Sequence, residues 1–469
     1  MSTQKFSRRQ FLLIGGSGVA VAALAACQPQ AQPTTAPAKA EPTKAAAVGP
    51  TQPPAPKKQP DVDFFAWGDP VDVPAWNKVA EMYTQKTGNK ANVTIGATGD
   101  FYTKLQTMVA GGTPPHLSSF QGWEWQVFAD KNVLVPVDDQ VKAAKLEDIF
   151  IDAPGDIAYT QRKGKKYLLP IEHPTMLMFY AKKPFQDAGL PFPKDDWTFE
   201  QFLEAAQKLT KTVDGKKQFG YQANGIWARD IHWMRNSGKQ EFDNLIDPKK
   251  SMFAQPELAE IIQIVASDVY YKMKISPTPA DLEGGANTID TGNCAMKYEG
   301  PWYFTRLNNP QLRDQKKAVE FDVVIMPKYK DASRPHRCLT SGVAVLRTDK
   351  VDATWAFASY LVSYEGNKAY SEISGRLPNN PKGAEQDWVP RIKELHGVAN
   401  GRAFIDAFKT SVVDVVGGVP RSKIWNEAAK PLGWDPLTLG TGKAVDVLPK
   451  VDTKVQELLD AYWATQPKS

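Results

Sequence analysis

The pattern of hydrophobic and polar positions along residues 62–120 predicts strands that alternate with helices. Short apolar runs bounded by turn residues are typical of buried strands. Apolar residues also recur at helical spacing from Trp76 to Tyr83 and from Phe101 to Val109. The predicted strands are residues 62–67, 91–95 and 117–120. This strand–helix order is typical of a parallel sheet with helices on its faces, so we predict an α/β fold.

The same alternation continues in the second half of the chain. Thr198 and Gln201 have the spacing of a capping box, which predicts the start of a helix. Further predicted helices are residues 258–271, 352–362 and 451–463, and further predicted strands are residues 294–298, 321–326 and 342–346. No low-complexity linker separates the early elements from the late ones, which predicts that the chain crosses several times between domains.

The first 27 residues have the pattern of a bacterial export signal. Arg8 and Arg9 precede an apolar run over 11–26, and Leu24-Ala-Ala-Cys27 resembles the lipobox of bacterial lipoproteins. We therefore predict a signal peptide over 1–26 and lipidation of Cys27. The alternative is an uncleaved membrane helix, but the run is only 16 residues long and includes glycines at 15, 16 and 18, whereas roughly 20 apolar residues span a bilayer. The arginine pair leaves open twin-arginine export or general secretion.

Residues 27–58 have the composition of a disordered spacer. They contain eight prolines among alanine, threonine and glutamine, and no aromatic residue. Such a segment buries too little apolar surface to offset the entropy of ordering it. We expect an exported protein whose lipid anchor holds a folded body at the outer side of the cytoplasmic membrane, at the cell surface or in the periplasm.

Charge and length narrow the classes of function. From Gln59 onward the chain has 50 basic and 51 acidic side chains, so it lacks the concentrated positive charge that binds nucleic acid. About 410 residues exceed what one core normally holds, which predicts two domains. Cys294 and Cys338 are compatible with one disulfide or with two buried thiols, and their spacing leaves both open.

Familiar catalytic motifs are absent from the sequence of the body. The five histidines lack metal-ligand spacing, and no Gly-x-Ser-x-Gly motif occurs. We expect no metal and no cofactor. A glycosidase needs only two carboxylates, so a pair such as Glu124 with Glu299 keeps an enzyme in consideration.

Three tryptophans lie at the ends of predicted strands or in the loops just after them. Trp67 ends the first strand, Trp123 follows the third, and Trp302 follows the strand at 294–298. In α/β sheets the loops at the carboxyl ends of strands face the ligand crevice. An indole ring beside acids and amides suits the apolar faces and hydroxyl rim of a sugar. Trp227 and Trp425 are further candidates.

Several stretches together resemble the solute-binding proteins of bacterial ABC transporters, in the extracellular family that includes maltose-binding protein. The resemblance covers residues 62 to about 380 and is weakest over 398–442. It is carried by Tyr83-Thr-Gln-Lys-Thr-Gly88, Ala110-Gly-Gly-Thr-Pro114, Lys131-Asn-Val-Leu-Val-Pro136, Met178-Phe-Tyr-Ala-Lys-Lys183, Trp197-Thr-Phe-Glu-Gln-Phe202, Ala295-Met-Lys-Tyr-Glu-Gly-Pro-Trp302 and Ser341-Gly-Val-Ala-Val345.

The resemblance implies a two-lobed periplasmic-binding-protein fold with discontinuous domains. The implied lobes are 59–171 plus 342–378 and 175–338 plus 381–469, with hinge segments near 172–175, 338–342 and 377–381. It implies a monomer that binds a carbohydrate, passes it to the permease subunits of an ABC importer, and performs no chemistry. The expected ligand-binding residues are Trp67, Gly68, Tyr102, Gln121, Trp123, Glu124, His173, Trp227, Glu299, Trp302, Gly342 and Trp425.

Two alternatives stay open. One is a surface glycoside hydrolase or polysaccharide-processing lipoprotein, which ligand turnover would reveal. The other is the same fold with a non-sugar ligand such as a peptide or polyamine. A polyamine site needs several convergent carboxylates, whereas a sugar site needs one or two together with amides.

Overall fold

A computed structural model describes residues 58–68, 72–97, 99–213, 215–330 and 336–466. The predicted signal peptide, Cys27 and nearly all of the spacer lie outside the described residues. The folded body is organised around two separate sheets, which are taken in turn.

The first sheet has five strands and contains the strands predicted at the start of the body. In spatial order they are Ala91–Gly96, Val62–Trp67, Leu117–Gln121, Ser341–Val345 and Leu169–Glu172. Strand Val62–Trp67 pairs in parallel with both of its neighbours, which confirms the predicted parallel arrangement. Strand Ser341–Val345 pairs antiparallel with its two neighbours, so the sheet is mixed.

A helix packed on this sheet shows how the local sequence sets its bounds. Helix Val73–Thr87 has proline in its first turn and ends at Gly88, whose φ of 73° is left-handed. Its residues at helical spacing are buried, and the Trp76 ring meets Phe64 edge-on at 5.2 Å between centroids. The predicted periodicity therefore identified the face that packs on the sheet.

The second sheet is smaller and entirely antiparallel. Strand Leu177–Ala181 lies between Met296–Glu299 and Phe321–Val324. Helix Phe199–Leu209 packs in the core on this side of the molecule, and Thr198 and Gln201 form the predicted capping box. Three two-stranded ladders complete the strands; they are Gln161–Arg162 with Lys165–Lys166, Lys211–Val213 with Lys216–Gln218, and His336–Arg337 with Ser411–Val412.

Helices surround both sheets. The α-helices of the first half are Val73–Thr87, Phe101–Ala110, Gln126–Asp130, Asp138–Ala144, Pro154–Thr160, Lys182–Asp187, Phe199–Leu209 and Trp227–Asn236. Those of the second half are Pro256–Gln263, Val269–Tyr271, Phe304–Leu307, Pro310–Asp314, Val351–Val362, Tyr364–Ser374, Pro381–Gly383, Val389–His396, Ala403–Phe408, Arg421–Ile424, Asp435–Thr438 and Ala444–Ala464. Three 3₁₀ segments are Glu147–Ile149, Ala280–Gly285 and Pro301–Tyr303, and three π-helical segments are Ile264–Asp268, Ala384–Trp388 and Trp425–Trp434.

Two predicted helices differ from the observed ones. The helix predicted at 258–271 contains a π-helical segment at Ile264–Asp268, and the last helix begins at Ala444, earlier than expected. Pro431 lies within the π-helical segment Trp425–Trp434, where the wider turn replaces the regular hydrogen bonds that a proline would break.

Both cysteines of the body are buried free thiols, which decides between the two alternatives. Burial raises the pKa of the Cys338 thiol to about 12, so its thiolate is disfavoured. Burial also raises the pKa of Cys294 well above the ordinary thiol range. Neither has the character of a reactive cysteine.

Candidate functional site

Trp123 lies in the loop that follows strand Leu117–Gln121, and its half-buried ring carries a cation on its face. The guanidinium of Arg421 lies 4.4 Å from the ring centroid and that of Arg337 lies 5.7 Å away. Tyr159 meets the ring edge-on at 5.9 Å. Two cation–π contacts on one indole mark this loop as a strongly charged environment.

The next residue, Glu124, is a carboxyl in a poorly solvated position. Burial raises its pKa to about 7, with Arg421 opposing the shift and Asp414 adding to it. Burial and then Glu124 raise the pKa of Tyr102, whose hydroxyl accepts a hydrogen bond of 2.9 Å from the Gln121 backbone N–H. At neutral pH Glu124 is therefore only partly charged, and both hydrogen-bond donation and acceptance are open to it.

A fully buried carboxylate anchors two of the arginines. Asp414 Oδ2 accepts from Arg337 Nη2 at 2.7 Å and from Arg421 Nη1 at 2.5 Å. Burial alone would raise the pKa of Asp414, but Arg421, Arg337 and Arg235 together lower it to about 2. The Asp414 backbone N–H also donates to the Tyr159 hydroxyl at 2.7 Å, which ties this carboxylate to the ring beside Trp123.

The second tryptophan, Trp302, sits in the 3₁₀ turn after strand Met296–Glu299. Its Nε1 donates to Glu299 Oε1 at 3.0 Å, and the Gly300 backbone N–H donates to the same oxygen at 3.2 Å. Arg229, on helix Trp227–Asn236, pairs with that oxygen at 3.1 Å and lies 5.5 Å from the Trp302 ring centroid. Glu299 thus holds both the indole and the guanidinium in place.

The thioether of Met176 contacts both the arginine beside Trp302 and one of the arginines beside Trp123. Met176 Sδ lies 2.7 Å from Arg229 Nη1 and 3.8 Å from Arg337 Nη1. A continuous chain of contacts therefore runs from Trp302 through Arg229 and Arg337 to Asp414 and Trp123. We call the residues Trp123, Trp302, Arg229, Arg337 and Arg421 the arginine–tryptophan site.

Trp67 belongs to a different environment, which we call the Trp67 cluster: Trp67, Arg376, Asp72 and Glu172. Its ring is only 7 % exposed and packs in the core, with the Arg376 guanidinium 5.0 Å from the ring centroid. Arg376 binds Asp72 through Nε at 3.0 Å and Nη2 at 3.1 Å, and Glu172 through Nη1 at 3.3 Å. The Trp67 Nε1 is buried without a hydrogen-bond partner.

Two of the predicted site residues are glycines at points where the backbone is closely packed. Gly68 is buried, and a Cβ there would lie 2.9 Å from the Asp72 Cβ. Gly342 lies within strand Ser341–Val345, where a Cβ would lie 2.2 Å from the Leu169 carbonyl oxygen. Close packing of the backbone therefore requires glycine at both positions, and their role as ligand contacts stays a prediction.

Two further predicted site residues, His173 and Trp227, are buried. His173 is 2 % exposed; it pairs with Asp156 at 3.1 Å through Nδ1, and its Nε2 meets the Ile149 carbonyl at 3.0 Å. Trp227 is fully buried in the core between Phe242 and Phe253. Neither side chain presents surface to a ligand. Trp425 lies half-buried in the segment after Arg421, edge-on to Trp434 at 6.4 Å.

The arginines are what sequence reasoning missed. Arg229 follows Trp227 by two positions, and no motif around it marks it as a ligand contact. Arg337 lies on the short strand His336–Arg337, beside the predicted hinge segment 338–342. Asp414 and Arg421 fall in 398–442, where the family resemblance is weakest. No sequence pattern indicates that these four residues converge, because they come from separate elements.

The described part of the chain contains neither a cluster of metal-ligating side chains nor a helix that could span a membrane. No group of three or more His, Cys, Asp or Glu side chains there could hold a metal ion. Among the helices that the structure describes, none is long and apolar enough to cross a membrane.

Solved structures place the fold in a known class. The chain aligns with an ABC substrate-binding protein from Listeria monocytogenes in complex with cycloalternan, at 21 % identity and a TM-score of 0.73, covering 86 % of this chain and all of that one. The GacH receptor of Streptomyces glaucescens, solved unliganded and with acarbose, aligns at 17 % identity with a TM-score of 0.69. That alignment covers 87 % of this chain and all of the receptor chain. Maltose-bound MalE3 of T. maritima aligns at 16 % identity with a TM-score of 0.69, and the alignment covers 85 % of this chain and all of that one. The fold is the two-lobed α/β fold of periplasmic binding proteins, as predicted.

Sequence comparison defines the family. The bacterial extracellular solute-binding protein family matches residues 78–396, and the chain belongs to that family. A protein of Brucella abortus described as a binding protein is 23 % identical over 302 residues, which cover 62 % of this chain and 69 % of the relative. The predicted resemblance is confirmed.

Proposed function

We propose that this solute-binding protein takes up a carbohydrate and delivers it to the permease of an ABC importer. The observation that carries the proposal is the pair of half-buried tryptophans, Trp123 and Trp302, bordered by Glu124 and Glu299. Each indole offers apolar surface beside groups that hydrogen-bond hydroxyls, which is the combination a sugar requires. The structural relatives described above were solved with cycloalternan, acarbose and maltose, which favours the same class of ligand.

A thermal-shift screen tests this proposal. The panel contains neutral saccharides such as maltotriose, acidic saccharides, amino acids, short peptides and polyamines. Because a ligand of the native state stabilises it by mass action, the true ligand raises the melting temperature progressively with concentration. We expect a saccharide to do so. A shift with peptides or polyamines and none with any saccharide would overturn the carbohydrate proposal in favour of a non-sugar ligand.

We further propose that binding occurs without turnover, in keeping with the family. Glu299 Oε1 is engaged by Arg229, Trp302 and the Gly300 N–H, which suits a positioning role. Prolonged incubation with the saccharide found in the screen, followed by chromatography, should return it unchanged. Cleaved product, lost in Glu299→Gln, would instead support the glycoside hydrolase.

A hinge between two lobes is the mechanical part of the proposal. The segments near 172–175, 338–342 and 377–381 are its proposed crossings. Two isolated backbone bridges support this assignment, since Glu172 pairs with Pro378 and Thr175 pairs with Cys338. Ligand should draw the lobes of 59–171 plus 342–378 and 175–338 plus 381–469 together, because the hinge residues absorb the rotation. X-ray scattering should show a smaller radius of gyration with ligand; an unchanged radius at saturation would contradict closure.

Export and lipid attachment at Cys27 complete the proposal. The paired arginines, the lipobox and the proline-rich spacer support it, and so does membership of an extracellular family. In cell fractionation, Cys27→Ala should move the protein from membrane to soluble fractions while its melting temperature stays unchanged. Equal membrane retention of the variant would contradict anchoring through this residue.

A further inference from the structure

A guanidinium group lies over the ring of each site tryptophan. Arg421 lies 4.4 Å from the Trp123 ring centroid, and Arg229 lies 5.5 Å from that of Trp302. A guanidinium near a ring face is planar and presents its N–H donors in one plane, where an oxyanion can accept two at once. Each tryptophan therefore supports a cation beside the surface it offers to a sugar.

Both guanidinium groups have donors to spare. Arg421 contacts Asp414 through Nη1, and Arg229 contacts Glu299 and Met176 through Nη1. The Nε and Nη2 groups of the two arginines have no partner among the described residues. The side chains of Arg229 and Arg421 are 22 % and 21 % exposed, so each retains some surface that a ligand could contact.

Positive charge in the site is incompletely balanced. Three guanidinium groups, those of Arg229, Arg337 and Arg421, face two carboxylates, Glu299 and Asp414. Asp414 is shared by two of the arginines, and Arg337 Nε is buried without a partner. The neighbouring Arg235 is paired with Glu241 at 2.8 Å, so this pair does not change the charge balance of the site.

The pKa shifts of Arg229 and Glu124 also indicate an excess of positive charge in the site. Burial is the largest influence lowering the pKa of Arg229; Glu299 opposes it, and Arg337 and then Arg421 lower the pKa further. The three cations are thus close enough to repel one another. Glu124, the third carboxyl nearby, has a pKa of about 7 and is only partly charged at neutral pH.

We propose that the carbohydrate carries an oxyanion, namely a uronate carboxylate, a sulfate or a phosphate, which binds to the guanidinium groups of Arg229 and Arg421. This inference rests on the proposed function and specifies its substrate class. Enclosing a neutral sugar would take three cations further from water without adding a partner for their charge, which is unfavourable. An oxyanion on the sugar supplies that partner, while the tryptophans contact the ring.

Calorimetric titration of the full chain tests the inference. Oligogalacturonate and its methyl ester have the same ring and linkage, and esterification replaces each carboxylate with a neutral ester group. Glucuronate oligomers, a sulfated saccharide and a sugar phosphate separate the three sources of the oxyanion. We expect at least one anionic saccharide to bind at least tenfold more tightly than its neutral counterpart, because a charge-assisted hydrogen bond contributes about 1.5–3 kcal/mol.

Arginine variants locate the effect. Arg421→Gln and Arg229→Gln should each weaken the anionic ligand at least tenfold and reduce the discrimination against its neutral counterpart. The control is Arg306→Gln, a surface arginine paired with Asp290, which should bind as the parent does. Melting curves of all three variants check that they remain folded.

The outcomes separate this inference from the proposed function. Equal or tighter binding of neutral saccharides overturns the oxyanion and leaves carbohydrate binding intact. Discrimination that survives in both arginine variants overturns the assignment to Arg229 and Arg421. Absence of binding by any saccharide in the panel, neutral or anionic, overturns both proposals.

Discussion

Trp67 and Trp123 occupy similar places in the sequence pattern, one at the end of a strand of the first sheet and the other just after a strand of that sheet, yet their surroundings differ in charge balance. In the Trp67 cluster one guanidinium, that of Arg376, meets two buried carboxylates; burial opposes its charge, but Glu172 and Asp72 raise the pKa of Arg376. Around Trp123 the proportion is reversed, since Arg337 and Arg421 share Asp414.

The difference distinguishes a structural anchor from a binding surface. A cation whose donors are all engaged by buried carboxylates holds elements together and has no capacity left for a ligand. A group of cations with unused donors and partial exposure retains that capacity. We therefore assign the Trp67 cluster to stability and the arginine–tryptophan site to recognition, and the following experiments test this division.

The largest effect is expected at Arg376. Arg376→Met leaves the Asp72 and Glu172 side chains, 1 % and 3 % exposed, without their common partner. Breaking a buried ion pair from one side costs about 3–5 kcal/mol, and we expect a loss of that size in the free energy of unfolding measured with urea. As a control, Arg391→Met removes a cation that donates only to the Glu372 carbonyl at the surface, and should change stability by less than about 0.5 kcal/mol. Equal stability of the two variants would contradict the anchor role.

The two tryptophans should separate next. Trp67→Ala empties a core position and should destabilise the fold by about 3–5 kcal/mol. Trp123→Ala removes a half-buried ring and should lower the free energy of unfolding by only about 2 kcal/mol. The same substitution should weaken ligand binding at least tenfold. Urea unfolding and calorimetry on the same samples measure both quantities. If Trp123→Ala is the less stable variant and binds normally, the division between the two regions is wrong.

The smallest effect concerns pH and Glu124. Since the folded-state pKa is raised to about 7, the folded chain retains this proton where the unfolded chain has lost it. Its contribution to stability therefore falls as pH rises from about 4.5 to 7. Glu124→Gln removes the titration, so the variant should gain stability relative to the parent between pH 4.5 and pH 8. A difference that stays constant with pH would show that Glu124 ionises normally in the fold.

Local patterns predicted the fold well because each depends on neighbours in sequence. The strand at 62–67 and the capping box of Thr198 and Gln201 are set by residues within one element. The lengths of the strands at 294–298 and 321–326 were less accurate, since a strand extends only as far as its partners in the sheet allow. The observed strands are Met296–Glu299 and Phe321–Val324.

The site was predicted only where a residue follows a strand. Trp123, Glu124, Glu299 and Trp302, which belong to the proposed site, were selected in this way, and the same rule selected Trp67, which is buried in the core. Gly342 and His173 followed from family resemblance at a hinge, and both are closely packed there. The arginines could not be predicted, because the contact of Arg229 and Arg337 with one sulfur depends on tertiary packing between distant segments.

A crystal structure with the saccharide selected by calorimetry tests the central claim most directly. We predict the sugar ring against Trp123 or Trp302 and a ligand oxyanion within about 3 Å of a guanidinium nitrogen of Arg229 or Arg421. Arg376 should keep its contacts with Asp72 and Glu172 unchanged. A saccharide bound at the Trp67 cluster, or one that leaves the arginine–tryptophan site untouched, would contradict the account.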